Sequence, residues 1–141
     1  MIITDSNIWM DFFKEIENEE TKELDYILKN RIKVGINSII VIEVLQGILD
    51  DKEYQKVRSF LSKFKLFKIN HNTIIKAGAI FRTCQKGIKT RDGVIKGKTL
   101  KTTDCIIASQ CIETDLPIFA RDKHFKIMQE FFPQLKIYYK H

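Results

Sequence analysis

The chain has 141 residues, 44% of them hydrophobic and 30% charged, enough for one folded domain over residues 1–141 with a real core. No uninterrupted apolar run exceeds the length of Ile39-Ile40-Val41-Ile42, far too short to span a bilayer. The N-terminus has no basic region ahead of a long apolar core, which argues against a secretory leader. The odd set Cys84, Cys105 and Cys111 lacks metal-site spacing, as expected of a reduced, cytoplasmic protein. A net charge of +6 leans toward a polyanionic partner without requiring one.

In chain order, Ile2-Ile3 suits a short buried strand, and Ser6-Asn7 then offers cap residues for a helix carrying Ile8, Trp9, Phe12 and Phe13 at helical spacing. Asp5 falls at the junction, at the carboxyl end of that strand. On this stretch alone a helix-cap role is the commoner explanation of Asp5. Thr21 is expected to cap a second helix with Leu24, Ile27 and Leu28 on one face. Val34-Gly35-Ile36 reads as a second strand, followed by Asn37-Ser38 as turn and cap and an apolar helix from Ile39 to Leu49. Asp50-Asp51 opens a helix with Tyr54, Val57, Leu61 and Phe64 at helical intervals. Leu66 to Ile69 is a third strand, and Asn72 or Thr73 would cap the next helix, which turns Ile74, Ala77, Phe81 and Cys84 inward.

From Lys86 to Lys101 the chain is basic and glycine-rich, with Lys86, Lys89, Arg91, Lys96, Lys98 and Lys101 against the single acid Asp92. It reads as a loop with a hairpin around Asp92-Gly93. A helix from Thr103 or Asp104 to Glu113, a strand over Pro117 to Ala120, a short helix with Phe125, Met128 and Phe132, and a closing strand Lys136 to Tyr139 complete the chain. Strands alternating with helices specify an α/β fold, a mostly parallel sheet of about five strands with helices on both faces.

On that scaffold Asp5 follows strand one, Glu43 lies in the first turns of the helix after strand two, Asp104 starts a helix, and Asp122 follows the fourth strand. Ligands bind at the carboxyl edge of such sheets, so four carboxylates from distant segments converge on one rim. Like charges held that close raise one another's pKa, and a hard divalent cation such as Mg²⁺ removes the conflict. Singly, each acid has an ordinary explanation: Asp104 a cap, Asp122 a turn with Arg121 and Lys123, Glu43 the polar position of a buried helix. His71, His124 and His141 are too scattered to suggest a histidine-based nuclease or a zinc site. Trp9 and the ten phenylalanines are assigned to core and dimer contacts.

Four segments resemble the motifs of PIN-domain ribonucleases of the VapC toxin type: Ile3-Thr4-Asp5-Ser6-Asn7-Ile8-Trp9, Ile42-Glu43-Val44-Leu45-Gln46-Gly47, Thr102-Thr103-Asp104-Cys105-Ile106-Ile107-Ala108-Ser109 and Ala120-Arg121-Asp122-Lys123-His124-Phe125. Two departures stand out: Ala120 where Thr commonly precedes the Arg or Asn, and a longer stretch at Lys86 to Lys96. The resemblance implies a PIN-like α/β/α sandwich, a homodimer, Mg²⁺- or Mn²⁺-dependent cleavage of RNA, and a cognate antitoxin that blocks the site. Asp5, Asp104 and Asp122 would hold the metal, directly or through water, and Glu43 would complete the acidic ring. Glu43 or Asp122 would take the proton of the attacking water. Lys96, Lys98 and Lys101 lead into Asp104 and, with Arg121, are the candidate RNA contacts. A non-catalytic PIN-like nucleic-acid-binding or regulatory module is the alternative, though a negative pocket gives a pure RNA binder nothing. A receiver-like or phosphatase-like domain also places an Asp after strand one, but fits the segment around Asp104 poorly.

Overall fold

The computed structural model describes residues 1–139, and only the backbone of residues 88–90. His141 therefore lies outside the described residues. In chain order the elements are β1 (Ile2–Thr4), α1 (Ser6–Phe13), α2 (Glu19–Lys29), β2 (Val34–Asn37), α3 (Ser38–Gln46), α4 (Asp51–Leu61), β3 (Lys65–Phe67), α5 (His71–Lys86), β4 (Ile88–Thr90), β5 (Gly93–Ile95), α6 (Thr102–Thr114), β6 (Ile118–Phe119) and α7 (His124–Phe131).

The central sheet runs β3-β2-β1-β6, every pair parallel, with Ile3 opposite both Gly35 and Ile118. Strands β1, β2 and β6 are buried along their whole length, as a parallel sheet covered on both faces requires. The expected closing strand narrows to one parallel bridge, Ile137 against Ile118, held by Ile118 N–H to Lys136 O (3.0 Å) and Tyr138 N–H to Ile118 O (2.9 Å). Two-residue β6 offers it nothing further to pair with. The third strand is shifted from the expected Leu66–Ile69 to Lys65–Phe67, because β2 ends at Asn37, the partner of Phe67, where the chain turns into α3.

Two helices start earlier than their patterns suggested. Asn18 and Asn70, not Thr21 and Asn72 or Thr73, are the caps, and each forms a capping box in which the threonine three residues on answers with its hydroxyl. The task of the usual Glu or Gln thus falls to Thr21 and Thr73. The basic stretch does contain a hairpin: β4 pairs antiparallel with β5. Its loop is Arg91-Asp92, and Gly93 (φ 144°) opens the second strand. Gly97 is packed so closely against the end of α5 that a Cβ there would fall 1.8 Å from the Gln85 carbonyl oxygen, so only glycine fits.

Strand order locates the functional edge. From β1 through β2 to β3 the sheet grows in one direction; the next central strand, β6, lies on the other side of β1. Right-handed crossovers then place the earlier helices on one face and the later ones on the other. The packing agrees: α1 contacts α2 and α3, α3 contacts α4, while α5, α6 and α7 pack on one another. The reversal falls between β1 and β6, and the crevice at their carboxyl ends is the switch point where such sheets bind ligands. Helix α6 is buried nearly all round; Ser109 Oγ donates to Thr73 O (2.8 Å) and Gln110 Nε2 to Lys68 O (2.9 Å), while Gln110 Oε1 has no partner among the described residues. Among the described residues no helix is long and apolar enough to cross a membrane.

Candidate functional site

Asp5 occupies the cap position of α1 with extended backbone, yet its side chain makes no cap bond. Its amide is fixed to the sheet by the Phe119 carbonyl (2.9 Å). The side chain is only 2% exposed, and Oδ1 has no hydrogen-bond partner. Burial, reinforced by the charges of Asp104, Glu43 and Asp122, pushes the carboxyl up to about 7, against a smaller pull from the Ser6 amide. All four predicted acids therefore lie within electrostatic reach of one another at the switch point. The usual cap explanation of Asp5 fails, since its carboxylate reaches only the adjoining Ser6 amide and makes no side-chain cap bond to the first turn of α1.

Glu43 reaches the rim from α3 and is half-buried, with Ser6 Oγ donating to its Oε1 at 3.1 Å. The helix around it is less buried than its composition suggested: Ile42 is 55% exposed. Asp104, third residue of α6, also caps nothing, because its helix begins without a side-chain cap. Burial raises the pKa of both Glu43 and Asp104; the Ser6 hydrogen bond opposes this at Glu43, and the His124 hydrogen bond at Asp104. Lys101, at the start of α6, is close enough for its charge to favour the ionised form of both. Asp122 uses Oδ1 to accept the backbone N–H of His124 (2.9 Å), which opens α7.

His124 is the residue that sequence reasoning missed. Its Nδ1 stands 3.3 Å from Asp104 Oδ2 and 3.3 Å from Asp122 Oδ2. Donor atoms of Asp104, Asp122 and His124 all lie within 4.8 Å of one another. The histidines are thus not all scattered; the signal was the spacing Asp122-Lys123-His124 at a helix start, which turns the ring back onto the acid. Of the predicted basic residues, Lys101 alone is placed against the acids. Lys96 and Lys98 are exposed on the segment that leads from the hairpin, where the Lys98 amide donates to Cys84 O (2.7 Å). Arg121 points away from the acidic rim and pairs with Asp11 of α1 and Glu20 of α2. Trp9 is fully buried, stacked on Phe13 and ringed by Phe12, Phe60 and Phe64, in keeping with a core assignment.

A doubly wound parallel sheet with a buried acidic cluster at its switch point is the architecture of PIN domains, and the PIN domain model matches residues 2–130. The chain belongs to the PIN-domain family. It is 30% identical over 139 residues to Ribonuclease VapC1 of Methanocaldococcus jannaschii, an alignment that covers 90% of this chain and 94% of that one. Among solved structures it is similar to VapBC2 from Rickettsia felis bound to a promoter DNA fragment (TM-score 0.74, 20% identity, all of both chains). It is also similar to DNA-bound VapBC from Salmonella typhimurium (TM-score 0.72, 17% identity, 98% of each chain) and to a toxin–antitoxin complex from Klebsiella pneumoniae (TM-score 0.70, 20% identity, all of both chains).

PIN nucleases generally depend on a divalent metal, and these residues fit one. The donors are hard oxygens, their negative charges oppose one another, and a buried oxygen of Asp5 lacks a partner among the described residues.

Proposed function

We propose that this chain is a metal-dependent endoribonuclease, the toxin of a toxin–antitoxin pair, and that residues 1–141 form its single catalytic domain. The observation that carries the reading is the buried Asp5 carboxylate, with an unpartnered oxygen, surrounded by Glu43, Asp104 and Asp122. Asp5, Asp104 and Asp122 hold Mg²⁺ or Mn²⁺, directly or through water, and Glu43 closes the ring. The ion, when bound, supplies positive charge that acidifies a water and offsets the charge building on the phosphodiester.

Glu43 is the favoured proton acceptor. Ser6 engages one of its oxygens, it is partly open to solvent, and its raised pKa makes it a better base than an ordinary carboxylate. One Asp122 oxygen, by contrast, is committed to the His124 amide. Water attacks phosphorus and passes its proton to Glu43 as the bond to the 3′ oxygen breaks; the 3′ oxygen takes a proton from solvent, giving a 3′ hydroxyl and a 5′ phosphate. Lys101 lies nearest the acids and is the first candidate for a phosphate contact, with Lys96 and Lys98 extending the basic path outward. Arg121 would have to release Asp11 and Glu20 to touch RNA, so its first role is to tie the Asp122 loop to α1 and α2.

A cognate antitoxin and a homodimer complete the reading. The relative's name and the toxin–antitoxin assemblies among similar structures support the antitoxin. Three buried free thiols fit work in the reducing cytoplasm. The test is cleavage of structured RNAs by the purified protein with Mg²⁺ and with chelator. Cleavage should require the ion and vanish in Asp5→Asn, which keeps the shape and removes a charge. Undiminished metal-dependent cleavage by that variant overturns the assignment.

A further inference from the structure

We propose that His124 is a nitrogen donor to the ion of this site, and that it shifts the preference of the site from Mg²⁺ toward Mn²⁺ and other borderline ions. The inference rests on the acidic cluster being a metal site, and adds a ligand of a different chemical kind.

The geometry argues for a shared ion rather than a simple hydrogen bond. Nδ1 stands equally far, 3.3 Å, from an oxygen of Asp104 and an oxygen of Asp122. A single N–H shared between both would be a bifurcated bond, and 3.3 Å on each side is longer than the roughly 2.7–2.9 Å of a good charge-assisted hydrogen bond. In octahedral coordination with bonds of about 2.1 Å, neighbouring donors lie about 3 Å apart, close to the two distances from His124 Nδ1 to the aspartates. Asp122 is held in the required pose because its other oxygen takes the His124 amide, so the ring and the free oxygen face the same volume. The independent observation is Asp5, 2% exposed, whose Oδ1 has no partner and whose carboxylate sits in the field of Asp104 and Asp122. Asp5 lies outside the close donor triad, so its buried, unpartnered oxygen marks the cluster as lacking a cation rather than completing the shell of His124.

The consequence is selectivity. Mg²⁺ favours an all-oxygen shell; imidazole suits the later first-row transition ions best, and Mn²⁺, which also favours oxygen, accepts a nitrogen donor more readily than Mg²⁺ does. An oxygen-only ring of Asp5, Glu43, Asp104 and Asp122 would lack this bias. His124 makes it a mixed set in which loss of the ring weakens Mn²⁺ more than Mg²⁺.

Pulsed electron paramagnetic resonance on the wild-type protein loaded with Mn²⁺ tests the donor directly. We expect the ¹⁴N coupling of a coordinated imidazole, absent in His124→Gln. Equilibrium titrations of Mn²⁺ and Mg²⁺ into the metal-free proteins test selectivity: His124→Gln should lower the Mn²⁺-to-Mg²⁺ affinity ratio about tenfold. Bound Mn²⁺ without a nitrogen coupling in the wild type overturns the inference, and so do equal losses for both ions. Tighter binding of both ions by His124→Gln also overturns it, since His124 would then be only a competing cation. These results leave the acidic metal site standing. Mn²⁺ binding unchanged in Asp5→Asn and Asp104→Asn would remove that site, and this inference with it. The wild-type spectrum decides the donor whether or not the variant folds.

Discussion

Asp5→Asn should change how stability depends on pH in the metal-free protein. Asp5 is the most deeply buried of the four acids, and its pKa rises from 3.8 to about 7 on folding. Between those values the folded state keeps a proton that the unfolded chain releases, so stability falls as pH rises through the window. The stabilisation is fully present below about pH 3.8 and gone above about pH 7. Three pKa units correspond to about 4 kcal/mol in total, of which about 2–3 kcal/mol falls between pH 5 and pH 8. Asparagine has no proton to release, so its variant should lack that decline. The comparison is best made as a difference of differences: urea unfolding of both proteins with chelator present, at pH 5 and at pH 8. Any packing cost of the amide is the same at both pH values and cancels. Wild type should lose about 2–3 kcal/mol more than the variant across this interval. Mg²⁺ at pH 8 should then restore the wild type and do little for Asp5→Asn, because an ion that binds only the folded state stabilises it. Parallel pH curves for the two proteins would refute a buried, uncompensated carboxylate at this position.

Other perturbations test separate parts of the site. Charge reversal of Lys96, Lys98 and Lys101 together should weaken RNA binding and flatten its salt dependence, by roughly 0.7 in log–log slope for each phosphate that is no longer neutralised, measured by anisotropy titrations at several salt concentrations. Ser6→Ala removes the hydrogen bond to Glu43 and should lower kcat by about tenfold with KM little changed, a far smaller loss than in Asp5→Asn. Trp9→Ala empties the centre of the cluster with Phe12, Phe13, Phe60 and Phe64, and chemical denaturation should show a loss of about 3–5 kcal/mol.

The alternation of buried strands with amphipathic helices was legible because β1, β2 and β6 are apolar without interruption and the intervening helices carry clear faces. Three of the four acids were legible by position, since the carboxyl ends of strands can be read from where an apolar run breaks into Thr4-Asp5, Ile36-Asn37 or Phe119-Ala120-Arg121; Asp104 was legible only as a helix start. Element ends were harder. Asn18 and Asn70 lie upstream of the apolar periodicity they cap, so the pattern suggested the threonines instead, although those turn out to be the reciprocal half of each box. The closing strand failed for a different reason: Lys136 to Tyr139 has good strand composition, but pairing depends on the length of β6, which is set elsewhere. For His124 the spacing from Asp122 was the one local signal; its closeness to Asp104 comes from the packing of α7 on α6, which sequence does not show. Nor does local sequence indicate that Arg121 would turn to Asp11, 110 residues away in the chain.

The distribution of helix caps separates the scaffold from the site. Helices α2, α3, α4 and α5 each begin on an Asn or Asp whose side chain accepts a backbone N–H: Asn18, Asn37, Asp50 and Asn70. Helices α1 and α6 begin without one, and α7 receives its bond from Asp122, itself a member of the acidic cluster. Omitting a cap costs about 1 kcal/mol per helix. The two uncapped helices are those that bring Asp5 and Asp104 to the rim. At Asp5 a good capping side chain stands in the cap position and declines the role. Its carboxylate reaches only the adjoining Ser6 amide and lies in the field of Asp104, Glu43 and Asp122 instead. There the positive ends of α1 and α6 partly offset the charge of the acids. The stability forgone at these helix starts goes with an Asp5 oxygen that has no partner among the described residues, the feature on which the proposed metal site rests.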